Sequence, residues 1–209
     1  VELESVEEEN YFFRLSNYQD KLLNLIESGE LRIIPETRKN EVLSFIKMGL
    51  ADFSISRSVA RARGWGVPVP GDDSQVMYVW IDALTNYITV LGYPDNDEWK
   101  DYWPADIQVI GKDILRFHAA IWPGMLFGLG LSAPKALYVH GFVTSGGKKM
   151  SKTLGNVVDP LDVVNKYGVD GFRYFFLRHI PSYSDGDFTW ELMEAAYNNE
   201  LADQLGNAV

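Results

Sequence analysis

The 209-residue sequence contains no cysteine, which excludes disulfides and any cysteine-ligated zinc within this chain. Its three histidines, His118, His140 and His179, are widely spaced and form no metal-ligand pattern. Long apolar runs are also missing: none approaches the roughly 20 residues that span a bilayer. The acidic start, Val1-Glu2-Leu3-Glu4, has neither the basic flank nor the apolar centre of a signal peptide. A soluble, cytoplasmic protein with no membrane partner is expected. Positive charge is scarce too: 19 lysines and arginines against 29 acidic residues leave a net charge of −10. That argues against broad, nonspecific nucleic-acid binding. A local RNA contact stays open, because Arg57, Arg61 and Arg63 cluster, as do Lys148, Lys149 and Lys152. A charge cluster is usually no more than a solvated face, and that reading stays beside the other.

What is present suffices for a core: 46% of residues are hydrophobic and 13% aromatic, enough for one domain with an appendage. Apolar positions between Asn10 and Ser28 predict an amphipathic helix that Gly29 ends, and a second helix is expected over 36–47, with Gly49 beyond it. From Val76 the character changes. Short apolar strands are predicted over 76–81, 107–110 and 136–140, alternating with helical stretches. Such alternation implies crossovers and a parallel sheet, hence half of a doubly wound nucleotide-binding fold. Helices are expected over 161–167 and 169–179, and again from Trp190. There is no internal repeat and no low-complexity segment.

The segment Gly146-Gly147-Lys148-Lys149-Met150-Ser151-Lys152-Thr153 follows the 136–140 strand. It places three lysines on a loop softened by two glycines, at the strand end where α/β sheets bind ligands. Glycine lets the backbone approach a ligand closely, and lysine is a mobile point charge suited to phosphate. Gly111-Lys112-Asp113 sits between a strand and a helix, where amide donors are unpaired; Asp113 is a candidate ligand contact or a plain N-cap. Trp80, Ala83, Leu84 and Tyr87 straddle a strand end and the first turns of a helix, so their spacing gathers them into an aromatic pocket. Taken alone, Trp80 and Tyr87 fit ordinary core aromatics better. Ile114 and His118, four apart, share one helix face.

Lys149-Met150-Ser151-Lys152-Thr153 resembles the second signature of the class I aminoacyl-tRNA synthetases, usually written KMSKS, with Thr153 in place of the final serine. Ser54-Ile55-Ser56-Arg57 with Trp65-Gly66-Val67-Pro68-Val69-Pro70 resembles the return of the connective insertion in these enzymes. The stretches 78–87 and 110–118 resemble the methionyl branch in particular. The resemblance runs from about residue 30 to the C-terminus and implies an α/β fold, the second half of a doubly wound parallel Rossmann-like domain, followed by an α-helical segment. It divides the chain into 1–50, the end of the connective insertion with its helices; 51–158, the second half of the catalytic fold with the lysine loop; and 159–209, a helical stem-contact region and the start of the anticodon-binding domain.

The activity that the resemblance implies is ATP-dependent activation of methionine and its transfer to tRNA(Met), with Mg²⁺ as cofactor. Trp80, Ala83, Leu84, Tyr87, Ile114 and His118 would then line the methionine pocket, with His118 orienting Tyr87 rather than acting as a base. Sulfur suits such an aromatic pocket because it is polarizable. Leu84 departs from relatives that have proline there. Gly111, Asp113, His140, Val143 and Ser151 would contact ATP; Lys149 and Lys152 would be catalytic, Lys152 at the departing pyrophosphate, with Arg57 a weaker candidate for that site. No protein nucleophile is needed, so positioning and charge neutralisation would carry the catalysis. The family's other signature, His-Ile-Gly-His, is absent, and the chain begins with Val1. The chain is therefore expected to be a fragment, inactive without its N-terminal half. The alternatives are a leucyl, isoleucyl or valyl synthetase, a noncatalytic RNA- or nucleotide-binding relative, and a plain nucleotidyltransferase.

Overall fold

The computed structural model describes residues 7–209. In chain order the elements are β1 (Phe12–Phe13), α1 (Gln19–Glu27), β2 (Arg32–Ile34), α2 (Glu36–Lys47), β3 (Phe53–Ser54), β4 (Ser56–Ser58), β5 (Pro68–Val69), β6 (Asp72–Met77), α3 (Val79–Thr89) and β7 (Gln108–Gly111). There follow α4 (Trp122–Gly128), β8 (Ala136–His140), β9 (Val143–Ser145), β10 (Lys148–Lys149), α5 (Pro160–His179), β11 (Gly186–Phe188) and α6 (Trp190–Ala195). The chain divides into two compact units. One runs to Val109 and takes in Asp113–Tyr138; the other comprises Ile110–Lys112 and Val139–Val209.

One sheet has the order β2-β8-β7, with β2 and β8 parallel and Ile33 opposite Leu137. Both residues are buried, as expected of strands covered on two faces. The expected 76–81 strand is corrected. It ends at Met77 and belongs to a separate antiparallel sheet, β4-β6-β5, so β2, a segment to which the sequence pattern assigns no strand, takes its place in the parallel sheet. The reason is that Trp80, Leu84 and Ile88 recur every four residues on one face of α3, and Leu84 and Ile88 enter a core with Trp103, Trp122 and Leu126. Helical burial wins over a run that periodicity alone leaves ambiguous. Trp122 is fully buried, so Trp122→Ala should cost about 3–5 kcal/mol.

The expected helix over 10–28 is shorter than its pattern. Only α1 is regular, after a 3₁₀ turn at Leu15–Tyr18, while Phe12 and Phe13 pair with Ser54 and Phe53 in the β1–β3 bridge. Phe13 stacks on Tyr18 at 5.6 Å and meets Phe53 edge-on at 5.8 Å, tertiary contacts that override local propensity. Gly29, at φ +84°, closes α1 as read from the sequence, and α2 has the expected limits.

The second unit pairs β9 antiparallel to β10 and parallel to β11. Its core is Val163, Tyr167, Phe175, Phe188, Met193 and Ala196. Helix α5 starts at Pro160, with the Asp159 carboxylate accepting the Leu161 amide hydrogen at 2.8 Å. Gly168, at φ +77° and ψ +163°, interrupts it, which is the break expected between 161–167 and 169–179. From α6 the chain continues as a π-helical stretch, Ala196–Leu205. No helix of the described residues is long and apolar enough to cross a membrane.

Candidate functional site

In the first unit, α3 faces a π-helical turn, Phe117–Ile121. Such turns widen the backbone and recur at functional sites. Trp80 stacks on Phe117 with ring centroids 4.3 Å apart. Tyr87 meets the next residue: its hydroxyl lies 2.9 Å from His118 Nε2. His118 Nδ1 lies 3.0 Å from the Ile114 carbonyl oxygen. A carbonyl only accepts, so Nδ1 carries the proton and donates, and Nε2 accepts from the Tyr87 hydroxyl. Burial lowers the His118 pKa, partly opposed by the Ile114 bond, and raises that of Tyr87. Both favour an uncharged pair.

The six residues of the expected pocket are thus distributed unevenly. Tyr87, Ile114 and His118 form one hydrogen-bonded string, and Trp80 adjoins it through Phe117. Ala83 shares the exposed face of α3 with Tyr87, whereas Leu84 is only 1% exposed and lies in the core cluster. Asp113 sits inside a 3₁₀ turn, Lys112–Ile114, not ahead of it; the plain N-cap alternative therefore falls. Arg57 is in β4. Its Nη1 donates to Ser54 Oγ and to the Ser56 carbonyl oxygen, both at 2.6 Å, and its guanidinium lies 4.4 Å over the Tyr78 ring.

In the second unit the glycine pair has a specific geometry. Gly146 and Gly147 both have positive φ, +60° and +72°, and join β9 to β10 with Ser145 opposite Lys148. Two successive left-handed residues make the two-residue hairpin turn whose twist matches the strands. The expected soft loop is corrected accordingly: Lys148 and Lys149 lie on a short strand, and the segment turns back only at a 3₁₀ turn, Lys152–Leu154. Asp187 braces the turn, accepting from Thr144 Oγ1 at 2.6 Å and the Gly147 amide at 2.8 Å. Those two bonds hold its carboxyl below the ordinary value. Asn156 braces the other end, its Oδ1 accepting from the Ser151 amide at 2.9 Å and its Nδ2 donating to the Lys149 carbonyl oxygen at 3.3 Å. Met150 reaches an apolar cavity of about 220 Å³ with Val158, Pro160 and Phe172. Lys152 is exposed.

Phe142 gathers two cations, with Lys149 Nζ at 4.4 Å and Lys112 Nζ at 4.7 Å from its ring centre. Lys112 is also paired with Asp185 at 2.7 Å, and Asp185 accepts the Phe142 amide hydrogen at 2.8 Å. His140 Nδ1 donates to the Gly141 carbonyl oxygen at 2.7 Å. A Cβ on Gly141 would lie 2.2 Å from the Ser184 backbone, so only glycine permits this approach. Val143 turns into the unit's core. Asp185, Asp187 and Asn156 escaped the sequence reading, and Lys112 stood in the singled-out 111–113 segment without a role. Asp185-Gly186-Asp187 had a turn-like composition as its one signal, about forty residues from the hairpin that it braces.

The model of the family described as tRNA synthetases class I (M) matches residues 2–209. The methionine–tRNA ligase of Brucella suis is 54% identical over 206 residues, covering 98% of this chain and 39% of that protein. That of Mesorhizobium japonicum is 55% identical, covering 96% and 38%. A crystal structure of Mycobacterium tuberculosis methionyl-tRNA synthetase bound by methionyl-adenylate superposes with a TM-score of 0.89 at 48% identity, over 97% of this chain and 39% of the other. Its apo form gives 0.81 at 46% identity. The chain spans about 39% of the length of such relatives, and its fold is the α/β, Rossmann-like fold of that catalytic region.

Proposed function

Given that this chain belongs to the class I tRNA synthetases (M), we propose that it is part of a cytoplasmic methionine–tRNA ligase. It would hold methionine and ATP for adenylate formation and present the methionyl group to tRNA(Met). The observation that carries the reading is the pairing of Trp80 with Phe117 and of Tyr87 with His118 on facing helical segments. The relative solved with methionyl-adenylate supports it, as an adenylate is the product of methionine and ATP. Trp80, Ala83, Tyr87, Ile114 and His118 serve as the methionine pocket, with Leu84 supporting it from the core. Gly111, Asp113, His140, Val143 and Ser151 contact the nucleotide, with Arg57 a weaker contact at its phosphates.

The methionine carboxylate attacks the α-phosphorus of ATP and pyrophosphate leaves. Lys149 and Lys152 meet the negative charge that builds on the phosphates, and the hairpin braced by Asp187 and Asn156 holds them in place before the reaction begins. Among the described residues no three His, Asp or Glu side chains group into a metal site; Mg²⁺ brought with ATP would add to the charge neutralisation that Lys149 and Lys152 supply. Residues 51–158 act as the second half of the catalytic fold, and 159–209 reach toward the tRNA stem. This chain matches about 39% of the relatives' length, and the activity is proposed for it together with the remaining region.

The test is ATP–pyrophosphate exchange by this chain combined with that remaining region, with methionine, leucine, isoleucine or valine supplied. Exchange with methionine alone is expected. Exchange driven by leucine, isoleucine or valine in its place refutes the assignment, and robust exchange by the 209-residue chain by itself refutes the need for the remainder.

A further inference from the structure

Between Ser145 and Val158 the chain carries three large apolar side chains, Met150, Leu154 and Val157. Leu154 and Val157 are exposed, at 63% and 53%. Met150 is half-buried and forms one wall of the cavity of about 220 Å³ in the second unit. Every side chain that lines this cavity is apolar, and three are aromatic: Phe176 has its ring centroid 4.5 Å from that of Phe172 and 6.3 Å from that of Phe188. A thioether suits such a space, because it is unbranched, adapts to irregular gaps and packs well against aromatic rings. A polar end group finds no partner there.

The backbone aims the side chain. Lys149 belongs to β10, and Ser151 is extended as well, at φ −149° and ψ +135°. Side chains along an extended chain alternate in direction. Met150 therefore lines the cavity while Lys149 turns away to the Phe142 ring. Asp187 braces the hairpin only as far as Gly147. Asn156 bonds the backbone on both sides of Met150, but it belongs to the same loop, so it fixes the shape of that loop rather than its place. Met150 supplies the place: its cavity wall is completed by Phe172 and Phe176 of α5.

We propose that Met150 is a positioning residue for the adenylate-forming step, and that the apolar cavity is the seat through which it fastens Lys149 and Lys152 to α5. The assignment rests on the function proposed above and adds to it an apolar anchor for the two catalytic lysines.

The experiment uses the complete enzyme and reads two quantities. The first is the single-turnover rate of adenylate formation, with the methionine KM measured beside it. The second is the rate of tryptic cleavage after Lys152, a bond whose two flanking residues the substitutions leave unaltered; cleavage of a loop tracks how often it opens. Met150→Gln keeps the length of the side chain and brings a polar end to the cavity. It should lower the single-turnover rate about ten-fold, leave the methionine KM within about two-fold of wild type, and speed cleavage about ten-fold. Met150→Leu, which keeps the apolar character and volume, should stay within about three-fold of wild type in both. Val158→Ser alters the seat from its other side and should reproduce the Met150→Gln pattern, and the double variant should lose less than the sum of the two.

The proposal is overturned if Met150→Gln keeps the wild-type rate and cleavage. It is also overturned if the methionine KM rises as the rate falls, which would make Met150 a general structural residue, or if Met150→Leu is as slow as Met150→Gln, which would remove the apolar seat from the explanation. Strict additivity of Met150→Gln and Val158→Ser separates the side chain from the cavity and has the same effect. Absence of methionine-dependent exchange in the wild type refutes the proposed function instead, and the cleavage comparison still decides whether Met150 seats the loop.

Discussion

The Tyr87 hydroxyl donates to His118 Nε2 at 2.9 Å, and His118 reaches this state only because its Nδ1 proton is committed to the Ile114 carbonyl. The imidazole is therefore an orienting acceptor. Tyr87→Phe deletes the donor with almost no change of volume. It should raise the KM for methionine several-fold, in line with a net hydrogen bond of about 0.5–1.5 kcal/mol, and leave the KM for ATP unchanged. Steady-state exchange at varied methionine and at varied ATP checks this; an equal rise for both substrates would mean that the bond supports the fold rather than the pocket.

The same string predicts a pH dependence. Burial lowers the His118 pKa in the folded protein below its ordinary value of 6.5. Between the two values the unfolded chain binds a proton that the folded chain does not, so the contribution is complete above 6.5 and is lost as pH falls through the folded pKa. Protonation also converts Nε2 into a donor and breaks the Tyr87 bond. Melting temperatures between about pH 7.5 and about pH 5 should fall for wild type, and less steeply for His118→Gln. Parallel curves for the two proteins would show that His118 is not the group responsible.

Trp80 tests the pocket from its aromatic side. It is half-buried, stacked on Phe117 at 4.3 Å, so Trp80→Ala removes a large contact surface at the margin of the core. Methionine affinity should fall at least ten-fold, with ATP affinity changed less than three-fold, both on the scale of one aromatic contact. Trp80→Phe should recover much of the loss. Binding of each ligand alone, measured by calorimetry, separates this outcome from general unfolding, which would weaken both.

Much of this architecture is legible from local sequence, and the parts that are not share a cause. Helix α2 and the Gly168 break follow from periodicity and from one glycine, and neither requires a distant partner. The α3 start does: a six-residue apolar run reads as strand until Leu84 and Ile88 are seen inside the core with Trp122. The lysine motif declares itself in the sequence, but its geometry does not, because Asp187 and Asn156 fix it across a hairpin that composition cannot specify. Phe142 shows the same limit. Nothing adjacent to it predicts that Lys112 and Lys149 converge on its ring.

The lysine hairpin supplies the last prediction, because positioning and charge can be varied separately there. Lys152→Ala removes a charge proposed to meet the departing pyrophosphate, and should lower the single-turnover rate of adenylate formation about 100-fold or more with the methionine KM unchanged. Asn156 touches no substrate in the proposal; it ties the Ser151 amide and the Lys149 carbonyl into one turn. Asn156→Ala leaves that amide without its side-chain partner and loosens both lysines, so the rate should fall about ten-fold, the order expected for a modest misplacement. Asn156→Asp keeps the acceptor for Ser151 and loses the donor to Lys149, and should lie between wild type and Asn156→Ala. In the Lys152→Ala background a further Asn156→Ala change should cost less than it does alone, since part of what the asparagine positions is already gone. Strict additivity of the two losses would show that Asn156 acts apart from Lys152.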